Sequence, residues 1–159
     1  MSQHGIDLET SLGYLLKEAS SALRAAMEEV LRPLGMSVTH YSCLELLAQR
    51  PGLSNSELAR GAFVTRQSMN VLLQALERDG LVTRPAQAPV GKALPTRLTP
   101  RGRRSLEQAT VAVRSVEVRM TAGLTEEEQA GGFRILQTVV RSLRDGGDPG
   151  AGSARPTAR

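Results

Sequence analysis

Between Ser54 and Thr99 the sequence starts and stops its elements at close intervals, which limits the possible folds more than any other feature. Ser54 and Glu57 form the Ser-x-x-Glu pattern, in which the serine hydroxyl takes the N3 amide and the glutamate takes the amide of the cap. Leu58-Ala59 follow, and Gly61 breaks the run. Thr65 then offers a hydroxyl to the free amides of a second helix. Met69, Leu72, Leu73 and Leu76 form the buried stripe of that helix, with Val71 and Ala75 alongside. Gly80 stands where helices often close in the left-handed conformation. Leu81–Arg84 and Leu94–Thr99 read as two short strands around the loop Pro85–Ala93, a β-hairpin.

On either side lie longer amphipathic stretches. From about Asp7 to Leu34, Leu8, Leu12, Leu15, Ala19, Leu23, Ala26 and Val30 recur at helical spacing, and Pro33 and Gly35 end the run. So long a helix cannot bury its whole apolar face in a small monomer, so part of that face is expected to meet another chain. A second helix is expected over Thr39–Gln49, closed by Pro51-Gly52. After the hairpin, Thr99-Pro100 restarts a helix with threonine as cap and proline at its first position. Leu106, Ala109, Val113, Val116 and Met120 continue it close to a coiled-coil seam, and Gly123 ends it. Thr125 and Glu128 repeat the capping pattern before a last helix carrying Phe133, Leu136, Val139, Val140 and Leu143. Residues 145–159 are rich in Gly, Pro, Ala, Ser and Arg and are expected to be a disordered tail. The expected fold is mainly α: a winged helix-turn-helix at 36–103 with a two-stranded wing, and a dimerisation region of long helices at 7–35 and 104–144.

Charge singles out the same middle segment. The chain of 159 residues has net charge +4, but residues 63–104 alone carry a net +6. A basic block on an otherwise balanced chain is the footprint of a polyanion site or a solvated basic face. No apolar run approaches the roughly 20 residues that cross a bilayer, and no signal peptide is expected at the N-terminus. One cysteine, Cys43, excludes an internal disulfide framework and a cysteine-rich zinc site. Aromatic residues are 3%, against an RNA-binding sheet built on stacking rings. These features favour the cytoplasm.

In a helix-turn-helix the second helix sends its N-terminal residues into the major groove. Here that end offers Arg66, Gln67, Ser68 and Asn70, while Val64 and Met69 belong to the core. Arginine donates two bonds to guanine, Gln or Asn exchanges a donor and an acceptor with adenine, and serine suits either. The stretch Ser54-x-x-Glu57-Leu58-Ala59, Val64-Thr65-Arg66-Gln67-Ser68 and Leu76-Glu77-Arg78-Asp79-Gly80-Leu81-Val82-Thr83-Arg84 resembles the helix-turn-helix of the MarR family. Leu98-Thr99-Pro100-Arg101-Gly102 resembles the start of its post-wing helix, and the likeness spans roughly residues 8–144. The resemblance implies a homodimeric, ligand-responsive regulator of transcription, more often repressor than activator, bound to a pseudo-palindromic operator in double-stranded DNA. The candidate DNA contacts are Ser54, Asn55, Thr65, Arg66, Gln67, Ser68, Asn70, Arg84, Lys92 and Arg97. One departure stands out. Where the family's wing carries an Asp-x-Arg pair, this chain has Val90 and Lys92, so the acid that would orient the basic residue is absent. Arg84 then contacts phosphate or pairs elsewhere, and Arg97, Arg101 and Arg103 are phosphate contacts or solvated surface.

The resemblance also implies a small aromatic or anionic ligand in a cleft between the dimer helices and the DNA-binding lobe. Arg24, Met27, His40 and Tyr41 are the candidate contacts, with core packing the competing reading for Tyr41 and solvent for His40. Some relatives sense oxidants through a cysteine, but Cys43 lies among leucines, where burial makes a thiol inert. His4 and His40 alone cannot build a multi-histidine metal site within one chain. No metal or cofactor is expected. No glycine-rich phosphate loop follows a strand, and no nucleophile pattern stands out, so an enzyme is not expected. The alternatives are a winged helix that binds protein rather than DNA, or a redox- or metal-responsive regulator.

Overall fold

The computed structural model describes residues 5–85 and 95–146. Ser11 sets the start of the first helix, α1 (Leu12–Leu31), by accepting the amide of Tyr14. The expected start near Asp7 is too early. Residues 7–10 instead form a turn in which the Asp7 carbonyl and carboxylate take the amides of Thr10 and Glu9. A single 3-10 turn, Arg32–Leu34, follows, and Gly35 closes it in the left-handed region. Ser37 caps α2 (Val38–Gln49) through the amide of His40. In α3 (Asn55–Gly61) both halves of the Ser54–Glu57 box are formed.

Gly61, read as the breaker, is the last helical residue, and its bare Cα lies against the Leu46 side chain. The break falls two residues on, at Phe63, which adopts a positive φ of 58°. Thr65 then caps α4 (Arg66–Arg78). Met69, Leu73 and Leu76 on α4 are buried. Val71, expected beside that stripe, is 62% exposed, because it lies half a turn from Met69 and Leu73. Beyond α4, Gly80 has φ 76°, and the amide of Leu81 reaches back to the Leu76 carbonyl, closing the helix as a left-handed cap.

The wing's base is smaller than expected. β1 (Val82–Thr83) and β2 (Arg97–Leu98) pair antiparallel, Val82 with Leu98 and Thr83 with Arg97. The strand does not extend to Pro95 because Thr96 pairs with a different segment. Its amide donates to the Leu53 carbonyl and its carbonyl accepts the amide of Gly52, both at 3.1 Å. The loop expected at Pro85–Ala93, with Pro89, Gly91 and Lys92, lies outside the described residues apart from Pro85.

Thr99 caps α5 (Pro100–Thr121), taking the Gly102 amide and donating its hydroxyl to the Gly80 carbonyl. Gly102 is needed here for space: a Cβ would overlap the carbonyl of Leu81. Leu106, Ala109, Val113 and Val116 are buried along α5, whereas Met120, read as part of the same seam, is 51% exposed. The core joins Leu31, Met36, Cys43, Leu44, Leu47, Leu58, Met69, Leu73, Leu76 and Val82 to the buried side of α5.

The chain forms two units, Met1–Arg119 and Met120–Arg159. The second is built on α6 (Glu126–Asp145), opened by a complete Thr125–Glu128 capping box with three glutamates in its first turn. Asp145, read as the first tail residue, closes α6, and the remainder of the expected tail, 147–159, lies outside the described residues. No residue of α6 is buried, and Phe133, Ile135, Leu136, Val140 and Leu143 are exposed. In the first unit, Leu8, Leu12, Leu15 and Leu16 are likewise exposed at and before the start of α1. No described helix is long and apolar enough to cross a membrane.

Candidate nucleic-acid interface

Side-chain hydrogen bonds hold the first turn of α4. The Thr65 hydroxyl takes the amide of Ser68 at 3.1 Å and lies 3.0 Å from the Ser68 hydroxyl. Asn55, from the first turn of α3, donates its side-chain amide to the Arg66 carbonyl at 3.3 Å. Ser54 uses its hydroxyl to cap α3. Ser54 and Thr65 thus each hold the start of their own helix, and Asn55 ties the start of α3 to the start of α4. The Oδ1 of Asn55 is buried and has no partner among the described residues.

Arg66, Gln67 and Ser68 are exposed at the N-terminal end of α4, and Asn70 is partly buried. The exposed face extends further than the sequence reading placed it. Gln67, Val71, Gln74 and Arg78 follow one another at three- and four-residue steps, so they form one stripe along the solvent side of α4. Val71, expected beside the buried stripe, and Gln74, not singled out by the sequence, lie on that exposed face. The helical phase that assigned Met69 and Leu73 to the core assigns these two to the opposite side. A valine methyl there is suited to the C5-methyl of thymine.

Arg84 is placed differently from Arg66. Its Nε lies 2.9 Å from Oε2 of Glu77, and its side chain is only 18% exposed. The arginine that lacks the family's wing acid thus uses an acid from α4 and braces the wing base against that helix. Arg97 is exposed on β2, with its guanidinium over Gly52. Lys92 lies outside the described residues.

The four ligand candidates have different surroundings. Arg24 pairs with Glu28 at 3.1 Å on the exposed side of α1. Met27 packs on the core. Tyr41 is half-buried with its hydroxyl 3.4 Å from Glu45, and burial, followed by the charge of Glu45, raises its pKa. His40 lines a groove, together with Arg78, Arg101 and Arg104. Burial holds its pKa below the usual histidine value against the opposing charge of Asp79. Cys43 is fully buried, and burial pushes its thiol up to about 12. No group of three or more His, Cys, Asp or Glu side chains suited to a metal occurs among the described residues.

A capped helix pair, a short hairpin and a polar N-terminal face on the second helix define a winged helix-turn-helix protein. The MarR family profile matches residues 34–93. The HTH-type transcriptional repressor Rv2887 of Mycobacterium tuberculosis is 42% identical over 135 residues, covering 85% of this chain and 97% of that one. A crystal structure of Rv2887 in complex with DNA has 41% identity and a TM-score of 0.69, covering 82% of this chain and 98% of that chain. Another, in complex with salicylic acid, has 42% identity and a TM-score of 0.67, covering 82% and 96%. The chain belongs to the MarR family.

Proposed function

We propose that this protein is a homodimeric transcriptional repressor that binds a pseudo-palindromic operator through α4 and is released by a small-molecule ligand. The observation that carries the reading is the capped, braced N-terminal turn of α4, which presents Arg66, Gln67 and Ser68 outward. The segment's net charge of +6 adds the electrostatic attraction that nucleic-acid binding draws on. The solved complexes of Rv2887 with DNA and with salicylic acid support both halves of the proposal, since the relative is matched over nearly its full length. In this reading residues 36–103 hold the DNA, and 7–35 with 104–144 carry the dimer contacts. Base readout falls to Arg66, Gln67, Ser68 and Asn70, with Val71 and Gln74 further along the groove, and Arg97 contacts phosphate. The protein acts by binding rather than by catalysis, in the cytoplasm. The high thiol pKa of Cys43 counts against a redox sensor, because the protonated thiol is a poor nucleophile.

The test is a fluorescence-anisotropy titration against the DNA upstream of the protein's own gene and against a scrambled duplex, at low and moderate salt. Tighter binding to the upstream duplex that survives moderate salt is expected, and a twofold-symmetric protein predicts half-sites about one helical turn apart, roughly 10 bp. A second reading, a protein-interaction module, draws on Phe63, 83% exposed, and Val71, 62% exposed. Salt separates the two. DNA affinity falls steeply with salt as counterions are displaced, whereas an apolar protein contact does not weaken in that way.

A further inference from the structure

The close of α3 is a left-handed cap of the kind that glycine usually makes. The amide of Val64 donates to the Ala59 carbonyl at 3.0 Å, and the amide of Phe63 donates to the Arg60 carbonyl at 3.3 Å. These are the two bonds of a Schellman motif, with Phe63 at its left-handed position. The other positive-φ positions among the described residues, Gly35, Gly52 and Gly80, are glycine. Phe63 puts a bulky side chain there, at φ 58°, a conformation that a residue with a Cβ holds only under strain. The fold draws nothing from the ring, which is 83% exposed. The two residues that supply the apolar contact of such a cap, Val64 and Ala59, already belong to the core. A single exposed apolar residue is ordinary. One held in a strained backbone with its ring in solvent is not, and strain of this kind gathers at binding sites.

The setting of the ring is cationic and polar. Arg60, whose carbonyl holds the Phe63 amide, is exposed, and so is Arg66, three residues on at the start of α4. Neither arginine forms an ion pair among the described residues. Glu57, the acid of α3, is occupied by the Ser54 amide. Ala62 and Val64 on either side are half-buried, and Thr65, Arg66 and Gln67 beyond them are exposed and polar. The ring is thus a single apolar contact between cations, rather than part of the broad apolar patch that marks a protein interface. A DNA strand matches that arrangement: phosphates for the guanidinium groups, and the C–H face of a deoxyribose for one ring. We propose that Phe63 is a DNA-backbone contact, its ring packed on a deoxyribose beside a phosphate held by Arg60. The assignment rests on the DNA-binding reading above and adds to it two residues that lie outside α4. Contacts to sugar and phosphate add affinity and hold the protein's orientation without reading sequence.

Fluorescence anisotropy of the full-length protein tests this, with the upstream and scrambled duplexes each titrated over a series of salt concentrations. The variants are Phe63→Asn, Phe63→Tyr and Arg60→Gln. Asparagine keeps the left-handed turn and removes the ring. Phe63→Asn is expected to weaken binding to both duplexes by the same factor, about fivefold. Its slope of log affinity against log salt should match that of the wild type, because a neutral ring displaces no counterion. Arg60→Gln is expected to reduce that slope by about one, and Phe63→Tyr to keep the wild-type affinity. A urea midpoint for Phe63→Asn at or above that of the wild type shows that the loss is not unfolding. Equal affinity of wild type and Phe63→Asn for both duplexes overturns the contact. A loss confined to the upstream duplex overturns the backbone assignment, since only readout of the bases discriminates sequence. The same loss in Phe63→Tyr overturns it too, by placing the effect in the turn rather than the ring. An unchanged salt slope in Arg60→Gln overturns the part given to Arg60. Wild type that binds neither duplex at low salt overturns the DNA-binding reading itself, a failure distinct from a variant that binds as well as the wild type.

Discussion

Phe63 occupies the turn of the helix pair at φ 58° with 83% of its surface exposed. A left-handed backbone at a bulky residue is strained by about 1–2 kcal/mol, and no burial of the ring offsets that strain. Asparagine tolerates this conformation through its short polar side chain. Phe63→Asn is therefore expected to raise stability by up to about 1 kcal/mol in urea unfolding. If the same change weakens operator binding, the strained aromatic serves DNA contact; unchanged binding makes it a passive feature of the turn. Arg66→Ala tests readout directly. A base-reading arginine costs about 1–3 kcal/mol on removal and relaxes preference at one operator position, whereas a phosphate contact costs affinity evenly across sequences. Cys43 gives a third expectation. With its thiol held at about 12 by burial, it should resist alkylation in native buffer and react only in denaturant. Fast labelling of the folded protein would contradict its placement in the core.

Helix boundaries in this protein are set by side chains that act within four residues. The Ser54–Glu57 box is the clearest case. The backbone amide of Ser54 donates to Oε2 of Glu57 at 2.7 Å and pulls the carboxyl below the usual glutamate range. The stability this adds is present above the unfolded pKa of the group and is lost as pH falls through its lower folded pKa. Glu57→Ala should thus lower Tm at pH 7 and make much less difference at pH 3. A constant difference across that range would remove the charge from the account. Gly102 is governed by distance rather than local sequence. Gly102→Ala forces the start of α5 away from Leu81 and is expected to cost about 1–3 kcal/mol or more, read as a lower urea midpoint.

The contrast between these two residues explains what could be read from the sequence. The caps at Ser54, Thr65, Thr99 and Thr125 were legible because each is a local pattern, and the structure forms all four. The apolar period placed Met69, Leu73 and Leu76 correctly but carried Val71 to the wrong side, since one valine beside a leucine run does not show its phase. The shortness of β2 was not legible, because Thr96 is held by Gly52 and Leu53, far away in sequence. The same holds for the site. The exposed position of Arg66, Gln67 and Ser68 at the start of α4 was legible from the helical phase, but the partner of Arg84 and the meeting of His40 with Arg101 and Arg104 along one groove depend on tertiary packing.

The two units each leave an apolar helical surface open, at Leu12 and Leu15 on α1 and at Phe133, Leu136 and Val140 on α6. Exposed apolar area of this extent marks an interaction surface. Under the homodimer reading, Leu15→Glu and Phe133→Glu should each shift the protein toward monomer in analytical ultracentrifugation and weaken operator binding in step. A dimer that survives both changes would place the contact elsewhere. The hydrogen bonds at the foot of the wing bear on how such a dimer could change shape. Thr99 grips the Gly80 and Leu81 carbonyls, while Gly102 lets α5 lie directly on that backbone. The end of α4 and the start of α5 are thereby clamped like two rods at one joint, with no side chain between them to yield. Under the homodimer reading, a torque that a partner chain applied along the start of α5 would turn the end of α4 with it.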